Sequence, residues 1–179
     1  MKTYNILYYA TIIAVIIFII LYLLPFSEEK ILTRPIWHNP KNIIDFELDG
    51  KGTSQQILDI YTFSHISHGI IFYHLLNNIN IPLIKNNAIF IAILLEIAFE
   101  IFENTPSTIN KYRNKKEFNN YKGDSIVNII GDVLFSIVGY YFAEKYSKFS
   151  IIYLIITELL LIPYNANLLH LSINSLILS

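Results

Sequence analysis

The residues best able to do chemistry fall into four groups. His65 and His68 stand three apart, and Glu96, Glu100 and Glu103 follow at spacings of four and three. Asp124, Asn128 and Asp132 are each four apart. Between these last two sets runs a basic stretch with Lys111, Arg113, Lys115, Lys116 and Lys122. On a helix, residues three or four apart share a face, so each of the first three sets forms one stripe. Imidazoles and carboxylates on facing helices are the ligand types of helix-bundle metal sites. They are also the usual acid–base groups. The candidate catalytic residues are therefore His65, His68, Glu100, Glu103, Asp124 and Asn128. Lys111 and Arg113 are the candidates for binding a phosphate-bearing substrate. A divalent metal fits the ligand types, but no HExxH or ExxH motif singles one out.

These residues lie in apolar surroundings. The 179-residue chain is 54% hydrophobic and 15% charged, against about 25% charged in a soluble domain. Several apolar runs approach the roughly 20 residues that cross a bilayer. The expectation is an all-α, polytopic transmembrane helix bundle forming one integral membrane domain over residues 1–179. About five spans are expected, at 6–24, 62–79, 87–103, 125–143 and 149–163. A short re-entrant or interfacial helix is expected at the carboxy terminus. The first apolar run is longer than the roughly 7–15 residues of a signal peptide and reads as a retained helix. The absence of cysteine excludes disulfides, zinc–thiolate sites and thiol catalysis. A net charge of -1 gives no general attraction to nucleic acid; the expected partners are membrane lipids.

Three connections join the spans. Residues 26–61 are long for an ordinary loop and are expected to fold over one membrane face, with Trp37 as an interfacial anchor. Residues 77–86 read as a short turn. Residues 104–123 read as a basic loop.

Strict alternation of the spans places the polar sets together. His65 and His68, Glu100 and Glu103, Asp124 and Asn128, and then Asn165 and Asn167 all fall at the same membrane face. Glu96 and Asp132 lie deeper, and Glu158 joins them. Lipid cannot satisfy such groups, so the stripes should face one another. His68, Glu100, Glu103 and Asp124 are expected to form one cluster, closed by Arg113 from the loop. Glu100 and Glu103 are close like charges, which share a proton or a cation. Lys30, Arg34, Lys41, Lys51 and the basic residues of 104–123 lie on this face, and Lys2, Lys85, Lys145 and Lys148 on the other. The positive-inside rule then makes the polar face cytoplasmic.

Each residue also has a plain reading. The histidines can serve helix neighbours, Asp124 can cap a helix, and Asn128 with Gly131 can serve close helix packing. Three functions remain open: an acid–base or metal-dependent membrane enzyme, a proton- or cation-coupled transporter, and a scaffold whose polar cluster only fixes packing.

The motifs Ser64-His65-Ile66-Ser67-His68-Gly69, Glu100-Ile101-Phe102-Glu103-Asn104-Thr105-Pro106, Lys111-Tyr112-Arg113 and Gly123-Asp124-Ser125-Ile126-Val127-Asn128 carry a resemblance. In this order, over residues 37–174, the chain resembles an uncharacterised family of bacterial multi-pass membrane proteins, a domain of unknown function. The resemblance implies the bacterial inner membrane and no particular activity. A fainter pattern, His68, Glu100, Arg113, and Asp124 with Asn128 and Gly131, is similar to VanZ-like membrane proteins. That likeness implies chemistry on envelope or lipid-linked substrates. Two departures stand out. Phe99 replaces a usual Trp, and Asn165-Ala166-Asn167-Leu168 replaces an Arg-Asp-Asn-Leu segment.

Overall fold

The computed structural model describes residues 43–47, 54–114, 121, 123–164 and 166–168. The first expected span, Trp37, Lys115, Lys116, Lys122, Asn165 and the apolar tail beyond Leu168 lie outside the described residues.

The described elements are helical, and the one β pairing among them is an isolated bridge between Ile44 and Leu58. In chain order the helices are α1 (Thr62–Asn78), α2 (Pro82–Lys85), α3 (Ala88–Glu103), α4 (Pro106–Arg113), α5 (Ile126–Lys145) and α6 (Ser147–Leu161). A 3-10 turn, Ile162–Tyr164, ends α6. Two expectations need amending. The 104–123 connection contains α4, and the turn at 77–86 contains α2. Both begin with Pro at the first helical positions, where its missing N–H costs nothing. Thr105 caps α4 by accepting the N–H of Thr108.

Short polar side chains also set the starts of α1 and α5. Asp59 and Thr62 bond reciprocally before α1: the Asp59 N–H donates to Thr62 Oγ1 at 3.0 Å, and the Thr62 N–H to Asp59 Oδ1 at 3.2 Å. This is the logic of a capping box. Ser125 caps α5, accepting the N–H of Asn128 at 3.1 Å. Just before it, Gly123 has φ 87, a region where glycine avoids the Cβ clash.

α1 is central, packing on α5, α3 and α6. The α1–α5 crossing is very close. A Cβ on Gly69 would collide with the Ser136 carbonyl, and one on Gly139 with the Ile66 carbonyl. Gly131 lies likewise against the Ile57 carbonyl, where the segment before α1 crosses α5.

The bundle is polar within and apolar without. One apolar cluster joins Leu76, Ala88, Ala92 and Tyr140, and another joins Ile60, Leu161 and Ala166. Also buried in the bundle are Ser64, His65, Ser67, His68, Glu96, Glu100, Asp132 and Ser136. Meanwhile Ile130, Leu134, Val138 and Tyr141 on α5 are exposed, at spacings that make one stripe. On α6, Ile155, Ile156, Leu159 and Leu160 are exposed too. Two helical segments, Ile126–Lys145 and Ser147–Tyr164, are long and apolar enough to cross a membrane. At 17 and 16 residues, α1 and α3 reach about 25 Å at 1.5 Å per residue, short of a ~30 Å hydrocarbon core.

Candidate functional site

α1, α3 and α5 bring their polar stripes together. Glu96 of α3 lies between the two histidines of α1. Its Oε1 is 2.6 Å from His65 Nδ1, and its Oε2 is 3.0 Å from His68 Nδ1. Glu100, one turn on, reaches the same His65 nitrogen at 3.3 Å. From α5, Asp132 Oδ2 stands 3.7 Å from His65 Nε2. Glu96 is fully buried and Glu100 is 2% exposed. Phe99 packs edge-on to His68, with ring centroids 4.6 Å apart, and Phe72 lies on the other imidazole flank at 5.9 Å. This buried His/Glu/Asp cluster is capable of metal or acid–base chemistry. Two ligand sets, His65–His68–Glu96 and His65–Glu100–Glu103, each present three donor atoms within 4.8 Å of one another.

The charges in this cluster do not balance. Glu96, Glu100 and Asp132 have ion-pair partners only in His65 and His68 among the described residues. Both carboxylate oxygens of Glu100, and Oδ1 of Asp132, are buried without a hydrogen bond. Leaving such groups unsatisfied is costly. A divalent cation bound by His65, His68 and Glu96 would relieve the excess negative charge, so the donor set fits one.

A second polar layer closes the end of the bundle where α3 gives way to α4. Asn104 Nδ2 donates to Asp124 Oδ2 at 2.6 Å, and its Oδ1 accepts the Asp124 N–H at 2.8 Å. Tyr121 donates its hydroxyl to Asp124 Oδ1 at 3.0 Å, and Tyr112 donates to Glu103 Oε1 at 2.9 Å. The Tyr112 and Tyr121 rings meet edge to face at 5.4 Å. Burial is the largest cause pushing both phenols above their usual range, so they stay protonated donors. Arg113 Nε donates to the Tyr121 carbonyl at 2.7 Å, which ties α4 to the chain entering α5.

Segment 54–59 seals the flank. Gln55 Nε2 donates to the Gly123 carbonyl, Ser125 Oγ to the Gln55 carbonyl, and Asn128 Nδ2 to the Gln56 carbonyl. Asp59 accepts the N–H groups of Ser54, Tyr61 and Thr62. Burial nonetheless outweighs these donors and lifts its carboxyl to about 6.

The sequence-derived site residues therefore divide. His65, His68 and Glu100 meet around Glu96. Glu103 and Asp124 belong to the second layer, and Asn128 holds segment 54–59. Lys111 and Arg113 share the last turn of α4. Glu96 and Asp132 had been read as deep members of the stripes, outside the candidate site set. Asn104 and Tyr112 stand inside the quoted motifs with no role assigned to them, and the sequence reading gives none to Tyr121 or Asp59. The one signal for Asn104 and Tyr112 was Thr105-Pro106, a helix start that leads from the end of α3 directly into α4.

Comparison with known proteins places the chain in a family. Residues 39–178 match the family described as "Protein of unknown function (DUF2585)". A UPF0314 protein of Paracoccus denitrificans is 35% identical over 77% of this chain and 69% of its own length. UPF0314 proteins of Sphingopyxis alaskensis and Rhizobium johnstonii are 38% and 40% identical, over 63% and 52% of the chain. The matched stretches cover 56% and 48% of those two relatives, so the chain spans about half of their lengths. No solved structure matches it. The chain belongs to the DUF2585 family and is similar to these UPF0314 proteins.

Proposed function

We propose that this chain is a multi-pass protein of the bacterial inner membrane and a divalent-metal-dependent enzyme acting on a phosphate-bearing lipid at one membrane face. His65, His68 and Glu96 hold the cation. Glu100, next to it, is the base that takes a proton from the attacking water. When bound, such a cation would supply Lewis-acid stabilisation of a phosphoryl oxygen and a more acidic water; as water forms the new P–O bond, Glu100 would hold its proton and return it to the lipid alcohol whose P–O bond breaks. Lys111 and Arg113, in the last turn of α4 beside the closing layer, attract the headgroup.

The observation that carries this reading is the Glu100 carboxylate, whose two oxygens have no hydrogen bond, in a buried cluster of three acids and two imidazoles. A packing device would satisfy its polar atoms, as the second layer does. The apolar exteriors of α5 and α6 support lipid contact. With the bilayer thinned locally around the short helices α1 and α3, a five-span arrangement would accommodate all three stripes.

The test is elemental analysis of detergent-purified protein, followed by phosphate release from lipid phosphates in proteoliposomes. About one equivalent of a zinc-class metal is expected. It should be lost, together with phosphate release, in His68→Ala and Glu96→Gln variants that keep their helical circular dichroism. Metal-free wild-type protein with no turnover would overturn the proposal. A second reading, a cation- or proton-coupled transporter, draws on the depth of the Glu96–Glu100–Glu103 stripe. Ion flux into vesicles without product would select it.

A further inference from the structure

The two ligand sets share one residue, His65, and the geometry makes them alternatives. The ring nitrogen that faces Glu96 Oε1 at 2.6 Å is the same Nδ1 that faces Glu100 Oε1 at 3.3 Å. A neutral imidazole nitrogen offers one lone pair, so it coordinates one cation at a time. The sets are also graded in depth along α3. Glu96 is 0% exposed, Glu100 is 2% exposed and Glu103 is half-buried. At 1.5 Å rise per residue, Glu103 lies about 10 Å along the helix from Glu96.

The ligand chemistry is graded in the same direction. The inner set offers two imidazoles and one carboxylate, and the outer set one imidazole and two carboxylates. Oxygen-rich sites suit an ion that still carries water, and nitrogen donors suit a dehydrated transition-metal ion. Between the two positions stands Glu100, whose oxygens have no hydrogen bond to give up. Glu103 is steadied by one bond, from Tyr112.

We infer that the cation is loaded in two steps, landing first on Glu103, Glu100 and His65 and then passing inward to His65, His68 and Glu96, with His65 bound throughout. This rests on the reading that the cluster binds a divalent cation. Each step exchanges water for a protein ligand, so the ion is never wholly stripped in apolar surroundings. Glu103 thus sets the rate of loading, and the inner ligands set the occupancy.

The experiment uses Co2+ as a visible probe. Chelator-stripped protein in detergent is mixed with Co2+, and the absorbance of the bound ion is followed by stopped flow. Glu103→Gln is expected to slow loading by about tenfold or more, the scale on which supporting groups affect metal sites, with the final spectrum and one-to-one stoichiometry kept. Glu103→Asp, which keeps a shorter carboxylate, should slow it less and serves if the Gln variant does not fold. Loading at the wild-type rate in the folded variant would overturn the inference. So would uptake of two ions by wild type and one by Glu103→Gln, because the positions would then be filled together. If wild type takes up no ion, the parent reading fails as well, and that result is distinct from both others.

Discussion

The inner cluster and the closing layer use the same kinds of residue and treat them in opposite ways. Around Asp124, Asn104 and Tyr121 supply donors to both carboxylate oxygens, and Asn104 also accepts the Asp124 N–H. Around Glu100, neither oxygen has a donor. Both carboxylates are almost fully buried, so burial alone does not separate them. Hydrogen-bond satisfaction does. A satisfied buried carboxylate fixes structure, whereas an unsatisfied one stores a free-energy cost that a bound cation or proton can remove.

Three measurements would break or sharpen this contrast. The largest effect is expected at Asn104. Asn104→Ala removes a donor and an acceptor from buried Asp124 at once. Leaving a buried hydrogen-bonding group without its partner costs about 1–3 kcal/mol, and more when the group is charged, so the variant, which loses two such bonds, should melt well below wild type in detergent. A melt within a degree or two of wild type would remove the structural role assigned to the closing layer.

Asp59 sits between the two cases, buried like Glu100 and hydrogen-bonded like Asp124. Its carboxyl rises from an ordinary 3.8 to about 6, burial outweighing its backbone donors. The folded state therefore holds this proton more tightly than the unfolded state. The stability this contributes is complete below about 3.8 and lost as pH rises through about 6. The shift corresponds to about 3 kcal/mol. Melting curves from pH 4 to 7.5 should show this decline, and Asp59→Asn should make it shallower. An equal decline in the variant would assign the pH dependence elsewhere.

The smallest effect has the opposite sign. Glu100→Gln removes a buried ionisable group whose oxygens have no hydrogen bond, so the metal-free variant should be more stable than metal-free wild type by about 1–2 kcal/mol and inactive. If it is instead destabilised as strongly as Asn104→Ala, the inner cluster is a packing device.

The sequence made the stripes legible because helical periodicity is local. His65 with His68, and Glu96 with Glu100 and Glu103, needed only a helix to share a face. The partner of each stripe was a different matter. Whether His68 meets Glu96 or Glu103 depends on how far α3 is shifted along α1, and the α1–α3 contacts that set this shift are scattered along the chain. The expected grouping around Glu100, Glu103 and Asp124 lies one to two turns from the Glu96-centred cluster for that reason. α4 is hidden in the sequence by the basic, loop-like composition of 104–123, although Thr105-Pro106 marks a helix start. With α4 read as loop, Tyr112 had no fixed place, and its bond to Glu103 could not be foreseen. The all-α architecture needed only composition and apolar runs.

The three glycine contacts make one half of the pocket a fixed jaw. At Gly69 and Gly139 the backbones of α1 and α5 touch, so the spacing of His65 and His68 from Asp132 is set by main chain packed on main chain. α3, which carries the glutamates, has no glycine and is seated on α1 and α5 through side chains, Ala88 and Ala92 against Leu76 and Tyr140. If the cluster binds a cation as proposed, adjustment to ions of different radius would come from α3, the looser jaw. Selectivity among metals would then be written in the side chains that hold α3 in place, Ala88 and Ala92 among them, and not in the ligands. Enlarging Ala92 would reset the calliper without touching an atom that binds the ion.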